Sequence, residues 1–283
     1  MVSMKSQSAM EYLMTYGWAI LIIAVVLGVL FQLGVFSGSA LTPKAAPGAC
    51  QVVRLGGQAS LEGECQGQLP QYVAYFNGNG QTSYMDVPSS SSTTLQGSFT
   101  YIAWVDLNKT SQEAYEFAGD RSNSAFTLYV YTDRTAPGIL ASVFETGHIQ
   151  VFSGQYSFTF GTWHQIGEVF NGVTVSVILD GQILGPGPAN SISPNSGGLN
   201  IDQRSLHTGN IANMQLYNTS LTSNEVLALY REGVGGAPIK IQNIDGWWPL
   251  NGNAQDYSGN NDNGQIGSGV SFNGTWQSGY TPP

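Results

Sequence analysis

The chain opens with one long apolar stretch and continues as a series of short alternating segments. From Leu13 to Phe36 no residue is charged, and apolar positions fall on every side of a helix rather than along one face. At about 1.5 Å per residue, the stretch from Trp18 to Phe36 would form a helix roughly 28 Å long, close to the thickness of a bilayer core. The pattern predicts one long hydrophobic N-terminal α-helix over residues 7–36, which is long enough to span a membrane.

Beyond residue 72 the hydrophobic pattern has a period of two, which is typical of strands with one buried face. From Val173 to Leu179 apolar residues alternate with mostly polar ones, and Asp180-Gly181 then supplies a hairpin turn. The segment 99–105 is apolar on both faces, which indicates an inner strand. Further strands are predicted over 125–131, 148–152 and 162–170. Many short strands with Gly- and Asn-rich turns predict a mainly β, two-sheet jelly-roll sandwich.

Two other signals complete the organisation of the chain. Thr222 and Glu225 form a capping box that begins a short helix, which ends at Gly233. Small residues and two prolines after Phe36 predict a linker that ends the first helix. The predicted domains are therefore a leader at 1–6, the helix at 7–36, a linker with a Cys50–Cys65 loop at 37–71, the jelly roll at 72–236 and a C-terminal segment at 237–283.

The N-terminal residues resemble the class III signal of type IV pilin-like subunits, particularly the archaeal form. The matching features are a very short basic leader, Met1 to Ser6, and the segment QSAMEYL directly before the apolar stretch. The resemblance implies that a membrane peptidase cuts between Ser6 and Gln7, although a small Gly is commoner than Ser before that cut. It also implies that Glu11 pairs with the α-amine of Gln7 of a neighbouring subunit, which would offset the cost of burying either charge.

Two other interpretations of the same stretch remain open. A secretory signal peptide also begins with a basic residue and an apolar stretch, and Gly38-Ser39-Ala40 would be its cleavage site. The apolar stretch is, however, longer than the usual 7–15 residues of such peptides. A simple single-pass anchor explains the hydrophobicity but not the spacing of leader, QSAMEYL and Glu11.

The β-rich region resembles a laminin-G-like, concanavalin-A-type jelly roll over residues 72–233. The resemblance rests on the order and spacing of several segments: 76–78, 84–88, 97–105, 162–164, 179–181 and 216–221. It implies a scaffold for carbohydrate and protein binding, in which some members bind Ca²⁺.

The C-terminal segment 246–260 looks like the opening strand of the same family, although it comes last in the chain. The two interpretations are a permuted sandwich whose first strand comes last, and the stump of a second copy. A stump of this size could not bury a core of its own, which favours permutation. Trp247 and Trp248 are candidates for stacking on a glycan, and only one of the two is expected in the core because adjacent strand residues face opposite ways.

The composition of the outer domain is compatible with an exported protein and does not establish export by itself. Only 10% of residues are charged and the net charge is −9, so the chain has no basic surface for nucleic acid. The two cysteines, Cys50 and Cys65, predict one disulfide in an exported chain. Asn108, Asn218 and Asn273 begin N-x-S/T sequons and are candidate glycosylation sites.

Candidate catalytic residues do not form a recognisable set, so we predict that the chain is not an enzyme. Retaining glycoside hydrolases need two carboxyls about 5 Å apart, and no E-x-D-x-x-E segment occurs. The acids Glu113 and Glu116 would face opposite ways on a strand. The three histidines lack zinc-ligand spacing, and the serines at 89–92 lack the glycines of a nucleophile elbow.

No cofactor is required by the sequence, although one segment suggests Ca²⁺. Asp256, Ser258, Asn260 and Asp262 place oxygen atoms at alternate positions of a Gly-rich loop, a ligand type that Ca²⁺ accepts. The alternative is a polar turn whose side chains hydrogen-bond their own backbone. That alternative is favoured, because the terminal bidentate glutamate of an EF-hand loop is missing.

Together these features predict a cell-surface filament subunit or adhesin, which displays a jelly roll for glycan or cell-surface binding. The alternative is a membrane-tethered or secreted carbohydrate-binding protein that does not polymerise. The predicted location is the cell membrane, crossed once and with the C-terminal domain outside the cell, or a filament at the cell surface.

Overall fold

The computed structural model describes residues 5–32, 50–55, 58–62, 69–109, 116–120, 125–131, 138–145, 149–157, 159–189, 191–193, 198–202 and 206–283. It divides into two compact units, Met1–Pro43 and Lys44–Pro283, which are described separately.

The first unit contains helix α1, Lys5–Gln32. Its described side chains, Met14 and residues 16–29, are all exposed, including Trp18, Ile22 and Val26. Across the described residues, no helix combines the length and apolarity needed to cross a membrane. The side chains of Ser6, Gln7 and Glu11, and residues 33–36 of the predicted helix, lie outside the described part of the chain.

The second unit begins with a hairpin of β1 (Gln51–Leu55) and β2 (Gln58–Glu62), which forms a small sheet of its own. Cys50 directly precedes β1, whereas Cys65 lies outside the described residues, so their disulfide stays a prediction.

Two antiparallel sheets form the body of the unit. The larger runs in the order β12-β11-β10-β5-β14-β3-β17, with β15 also paired to β14. Its strands are β3 (Val73–Asn77), β5 (Phe99–Leu107), β10 (His164–Phe170), β11 (Thr174–Leu179), β12 (Gln182–Pro188), β14 (Thr208–Tyr217), β15 (Ile244–Trp248) and β17 (Val270–Asn273).

The smaller sheet runs in the order β16-β4-β13-β6-β7-β8-β9. Its strands are β4 (Met85–Val87), β6 (Glu116–Asp120), β7 (Phe126–Tyr131), β8 (Gly138–Glu145), β9 (Ile149–Phe152), β13 (Leu199–Ile201) and β16 (Gln265–Ile266). The mainly β, two-sheet sandwich predicted from the alternating pattern is therefore confirmed.

The two sheets face each other across the main hydrophobic core. Alternate residues of β5, among them Phe99 and Val105, point into this core, as do Phe126 and Leu128 of β7. The rings of Phe99 and Phe126 join the sheets, with their centroids 4.9 Å apart. This core fixes which side of each sheet faces outwards.

The other face of the eight-stranded sheet is covered as well. The covering elements are the β1–β2 hairpin and helix α2, Ser223–Glu232, which bury a second cluster that includes Val52, Ile178 and Val226. The predicted capping box of α2 is present, since Thr222 and Glu225 bond each other reciprocally. The eight-stranded sheet is thus buried on both sides.

The prediction that only one of the two adjacent tryptophans is in the core is wrong. Trp248 is fully buried in the core between the sheets, and Trp247 is 3% exposed in the cluster on the opposite face. Adjacent strand residues do face opposite ways, but here both faces of the sheet are covered. Neither indole is available to stack on a glycan in this structure.

The C-terminal residues contribute to both sheets. Strand β15 pairs with β14, β16 with β4, and β17 with β3. Trp276 Nε1 also donates a hydrogen bond to the carbonyl of Pro70, 206 positions earlier in the chain, at 3.1 Å. Residues far apart in sequence are therefore neighbours where the sandwich begins.

Candidate functional site

A line of aligned positions crosses the outer face of the seven-stranded sheet, opposite the core. Strand pairing places the residues in register from one edge of the sheet to the other: Gln265, Asp86, Asn200, Gly119, Thr127, Ser142 and Phe152. We call this set the cross-strand row. Their neighbours in each strand, such as Met85 and Phe126, point into the core, so the row faces away from it.

One end of the row carries an aromatic surface. The rings of Tyr129 and Tyr131 lie parallel at 6.1 Å on β7, and Phe152 lies 6.4 Å from Tyr129, two strands away. The two tyrosines are partly buried, whereas Phe152 is 47% exposed. These three residues, the aromatic face, present ring surface together with phenolic hydroxyls, which suits a ligand with both apolar and polar groups.

The middle of the row is polar and largely buried. Asp86, Thr127 and Ser142 are each at most 5% exposed. Ser142 Oγ donates to the carbonyl of Thr127 at 3.1 Å, while Thr127 Oγ1 has no hydrogen-bond partner among the described residues. Side chains this buried are not available to a ligand in this structure, as is also true of Trp247 and Trp248.

Four donors converge on one carboxylate in the loop that the sequence suggested for Ca²⁺. Asp256 accepts hydrogen bonds from the backbone N–H groups of Trp247, Ser258 and Asp262, and from Ser258 Oγ, at 2.8–3.0 Å. A cation site instead requires oxygen lone pairs that converge on a point. These hydrogen bonds are those expected of the polar turn weighed as the alternative, and Ca²⁺ binding stays a prediction.

Other residues of this loop are also used in internal bonds. Asn260 Nδ2 donates to the carbonyl of Asp245 at 2.7 Å, and Asp262 accepts a hydrogen bond from Ser92 Oγ. Within the described part of the chain, no group of three His, Cys, Asp or Glu side chains could hold a metal ion. Burial and the nearby carboxylates of Asp262 and Asp256 raise the pKa of Asp245 to about 7, although Asn218 and Arg54 oppose them.

The three sequon asparagines differ in their surroundings. Asn108 is exposed at the end of β5. Asn218 donates to Asp245 Oδ1 and accepts from Asn243 Nδ2, both at 2.9 Å. Asn273 accepts from the backbone N–H of Thr275 at 2.9 Å. Asn108 and Asn218 are exposed and Asn273 is partly buried, and glycosylation stays a prediction for all three.

The histidines within the described residues lie in separate acid pairs. His207 is fully buried and contacts Asp202 Oδ1 through Nδ1 at 2.6 Å and the Val130 carbonyl through Nε2 at 2.9 Å. His164 Nδ1 contacts Asp180 Oδ2 at 2.7 Å. Each histidine is thus occupied by structural contacts, while His148 and Glu113 lie outside the described residues.

A buried acid that the sequence did not single out lies in the main core. Glu168 is aligned with Tyr101 on the neighbouring strand and is fully buried. Burial raises the pKa of its carboxyl well above the usual value, and the backbone of Ser142 offsets this only in part. The signal was available, because Glu168 occupies an inward position between Ile166 and Phe170 in the period-two pattern of β10.

Comparisons with known proteins agree with this architecture. A laminin G family model described as the concanavalin A-like lectin/glucanases superfamily matches residues 79–227, more than half of the chain. A search of curated protein sequences gave no match.

Two solved structures illustrate the structural similarity. A suspected carbohydrate-binding protein from Bacteroides ovatus superposes with a TM-score of 0.55 at 14% identity, over 76% of this chain and 62% of that one. This chain thus spans about three fifths of that protein. A heptameric SAP-like pentraxin from Limulus polyphemus gives a TM-score of 0.48 at 16% identity, over 71% of this chain and 94% of that one. From the family match, the chain is a member of the concanavalin A-like lectin/glucanases superfamily.

Proposed function

We propose that the sandwich binds carbohydrate through the outer face of its seven-stranded sheet. The observation that carries the proposal is the aromatic face, Tyr129, Tyr131 and Phe152, at the end of a row of polar side chains. A sugar ring has an apolar C–H surface and a polar rim, so it matches aromatic rings beside hydroxyl and amide groups. The family description, which names lectins and glucanases, supports the same ligand class.

The aromatic face extends over strands β7 to β9, which favours a glycan of more than one sugar ring. Neighbouring strands lie about 4.8 Å apart, so β7 and β9 are separated by roughly 10 Å. Among the residues of the row, Asp86 is the single carboxylate. Because retaining hydrolysis needs two carboxyls about 5 Å apart, we propose binding without cleavage.

We further propose that α1 displays this domain at the cell surface, in the membrane before assembly and in a filament core afterwards. The support is the exposed apolar surface on every side of the described part of α1, which other helices or lipid would have to cover. The pilin-like segment from Ser6 to Glu11 supports assembly in particular. A tethered or secreted glycan-binding protein that does not polymerise is the alternative.

Affinity electrophoresis of the detergent-solubilised full chain through gels that contain neutral polysaccharides tests glycan binding. We expect retardation of the wild type and at least tenfold weaker binding for a Tyr131→Ala/Phe152→Ala variant. Tyr75→Ala, which removes a partly buried tyrosine from β3 of the other sheet, is the matched control. Equal retardation of all three proteins, with unchanged melting temperatures, would refute the assignment to the aromatic face.

A further inference from the structure

A cavity lies at the rim of the sandwich, beside the loop that joins β3 to β4. Its volume is about 630 Å³, and it is lined by Asn77, Gly78, Asn79, Gly80, Gln81 and Leu206. None of these residues is charged, and three of them carry an amide group. We call this cavity the amide cleft.

The loop that lines the amide cleft is held by its own hydrogen bonds. Asn77 Oδ1 accepts from the backbone N–H of Asn79 at 3.0 Å, and Asn79 Oδ1 accepts from that of Gln81 at 3.1 Å. The backbone N–H groups of Thr82 and Ser83 both donate to the Asn79 carbonyl. The cleft is therefore formed before any ligand arrives, which lowers the entropic cost of binding.

Neighbouring segments also clamp the loop. Gly78 has φ +75°, and a Cβ there would collide with Thr208 Oγ1 and lie 3.1 Å from the Leu206 carbonyl. On the other side, Gly269 donates to the Thr82 carbonyl at 2.8 Å, and its carbonyl accepts from Asn77 N–H at 3.3 Å. The loop is thus fixed between the segment before β14 and the segment before β17.

These hydrogen bonds determine which amide atoms are available to a ligand. Because the Oδ1 atoms of Asn77 and Asn79 accept from the turn, their Nδ2 groups take no part in those turn bonds and can act as donors to a ligand. The Gln81 side chain adds a donor and an acceptor, and Leu206 adds an apolar patch. Neutral donors beside one apolar side chain match the hydroxyl rim and C–H face of a sugar.

We propose that the amide cleft is a second carbohydrate site, which binds one neutral pyranose at the end or branch of a glycan. The inference rests on the proposed function in that the ligand is again carbohydrate. The cleft adjoins β4, which is three strands from β7 in the sheet order, so the two sites are separated by roughly 14 Å or more. One glycan could engage both sites, and the avidity would exceed that of either alone.

Ligand-observed saturation-transfer NMR tests the amide cleft with the full chain in a detergent that contains no sugar. The probes are the methyl pyranosides of glucose, galactose and mannose. Asn77→Asp/Asn79→Asp keeps the acceptor oxygens that hold the turn and replaces both Nδ2 donors with carboxylate oxygens. Asn171→Asp is the matched control, because Asn171 Oδ1 also accepts backbone N–H groups in an exposed turn. Gln81→Ala removes a cleft amide whose side chain takes no part in those turn bonds.

We expect at least one methyl pyranoside to bind the wild type. The Asn77→Asp/Asn79→Asp variant should bind it at least tenfold more weakly, Gln81→Ala severalfold more weakly, and Asn171→Asp normally. Tyr131→Ala/Phe152→Ala should keep pyranoside binding while it loses polysaccharide retardation. Pyranoside binding that is lost in the aromatic variant and kept in the cleft variants would overturn the cleft proposal and leave the proposed function intact. Absence of pyranoside binding to the wild type would overturn the cleft proposal as well.

Discussion

Trp247 and Trp248 are consecutive in β15, yet their indole N–H groups bond on opposite faces of the eight-stranded sheet. Trp247 Nε1 donates to Asn213 Oδ1 at 2.9 Å, and Trp248 Nε1 donates to the Asp262 carbonyl at 2.8 Å. The first indole packs in the cluster beneath α2, and the second lies in the core between the sheets. A single strand thus anchors both hydrophobic layers of the domain.

We predict that each tryptophan is needed for stability rather than for ligand binding. Truncation of a large buried aromatic residue typically costs about 3–5 kcal/mol, so Trp248→Ala and Trp247→Ala should each lower the free energy of unfolding by about that amount. Urea denaturation followed by circular dichroism measures the change. Trp248→Phe, which keeps most of the volume, is the conservative control. A variant that lost polysaccharide binding at unchanged stability would contradict this role.

The second prediction concerns pH and the buried carboxyl of Glu168. Burial raises its pKa in the folded protein above the value of about 4.5 that it has when unfolded. Its contribution to stability is therefore complete below pH 4.5 and is lost as the pH rises towards the folded pKa. Each pKa unit of difference between the folded and the unfolded state corresponds to about 1.4 kcal/mol of stability. Glu168→Gln should remove this loss. The free energy of unfolding of the variant, measured by urea denaturation, should therefore exceed that of the wild type by an amount that increases from pH 5 to pH 8.

Two other carboxyls matter for the interpretation of that experiment, one because it adds to the slope and one because it supplies a control. Asp245, with its pKa near 7, has the same sign and adds to the loss of stability, so Glu168→Gln should remove only part of the slope. Although burial opposes it, hydrogen bonds from Thr222 and from Lys240 lower the pKa of Glu225. Glu225→Gln should therefore leave the pH dependence between 5 and 8 unchanged. A parallel stability profile for Glu168→Gln and the wild type would refute the prediction.

The third prediction distinguishes between a calcium site and a polar turn as the role of the loop that contains Asp256. Because Asp256 already accepts four hydrogen bonds from its own loop and from Trp247, Asp256→Ala should destabilise the domain by about 3 kcal/mol. A chelator should leave the melting temperature of the wild type unchanged. If chelation lowered that temperature and Asp256→Ala removed the effect, the loop would be a calcium site after all.

The fourth prediction concerns Glu11 and assembly. We expect mass spectrometry of the mature chain to find Gln7 as the first residue. Glu11→Gln should keep the protein in the membrane fraction but abolish or slow filament formation, since removal of one partner of a buried charge pair costs about 3–5 kcal/mol. Electron microscopy of cells and blots of membranes measure the two effects. Normal filaments from Glu11→Gln would refute the charge pairing assigned to Glu11, whereas a mature chain that starts at Leu41 would favour the non-polymerising alternative.

The strands were predictable because their signal is local. The alternation from Val173 to Leu179 and the two-sided apolar segment around Phe99 depend only on neighbours in sequence. The aromatic face was not predictable, because Phe152 meets Tyr129 only through the register of β7, β8 and β9. The burial of Trp247 was missed for a related reason: alternation assigns a face to each residue, but it does not tell which faces other elements cover.

The hydrogen bond between Trp276 and Pro70 and the pairing of β17 with β3 also affect how the chain folds during its synthesis. Strands β3 and β5 leave the ribosome early, but β17, which covers the edge of β3, follows only after nearly all of the domain has been synthesised. Until then β3 lacks its outer partner, and a strand edge in this state pairs readily with other chains. Contacts between residues so distant in sequence also form slowly. Completion of the sandwich therefore has to wait until β17 has been synthesised, and the edge of β3 stays open until then.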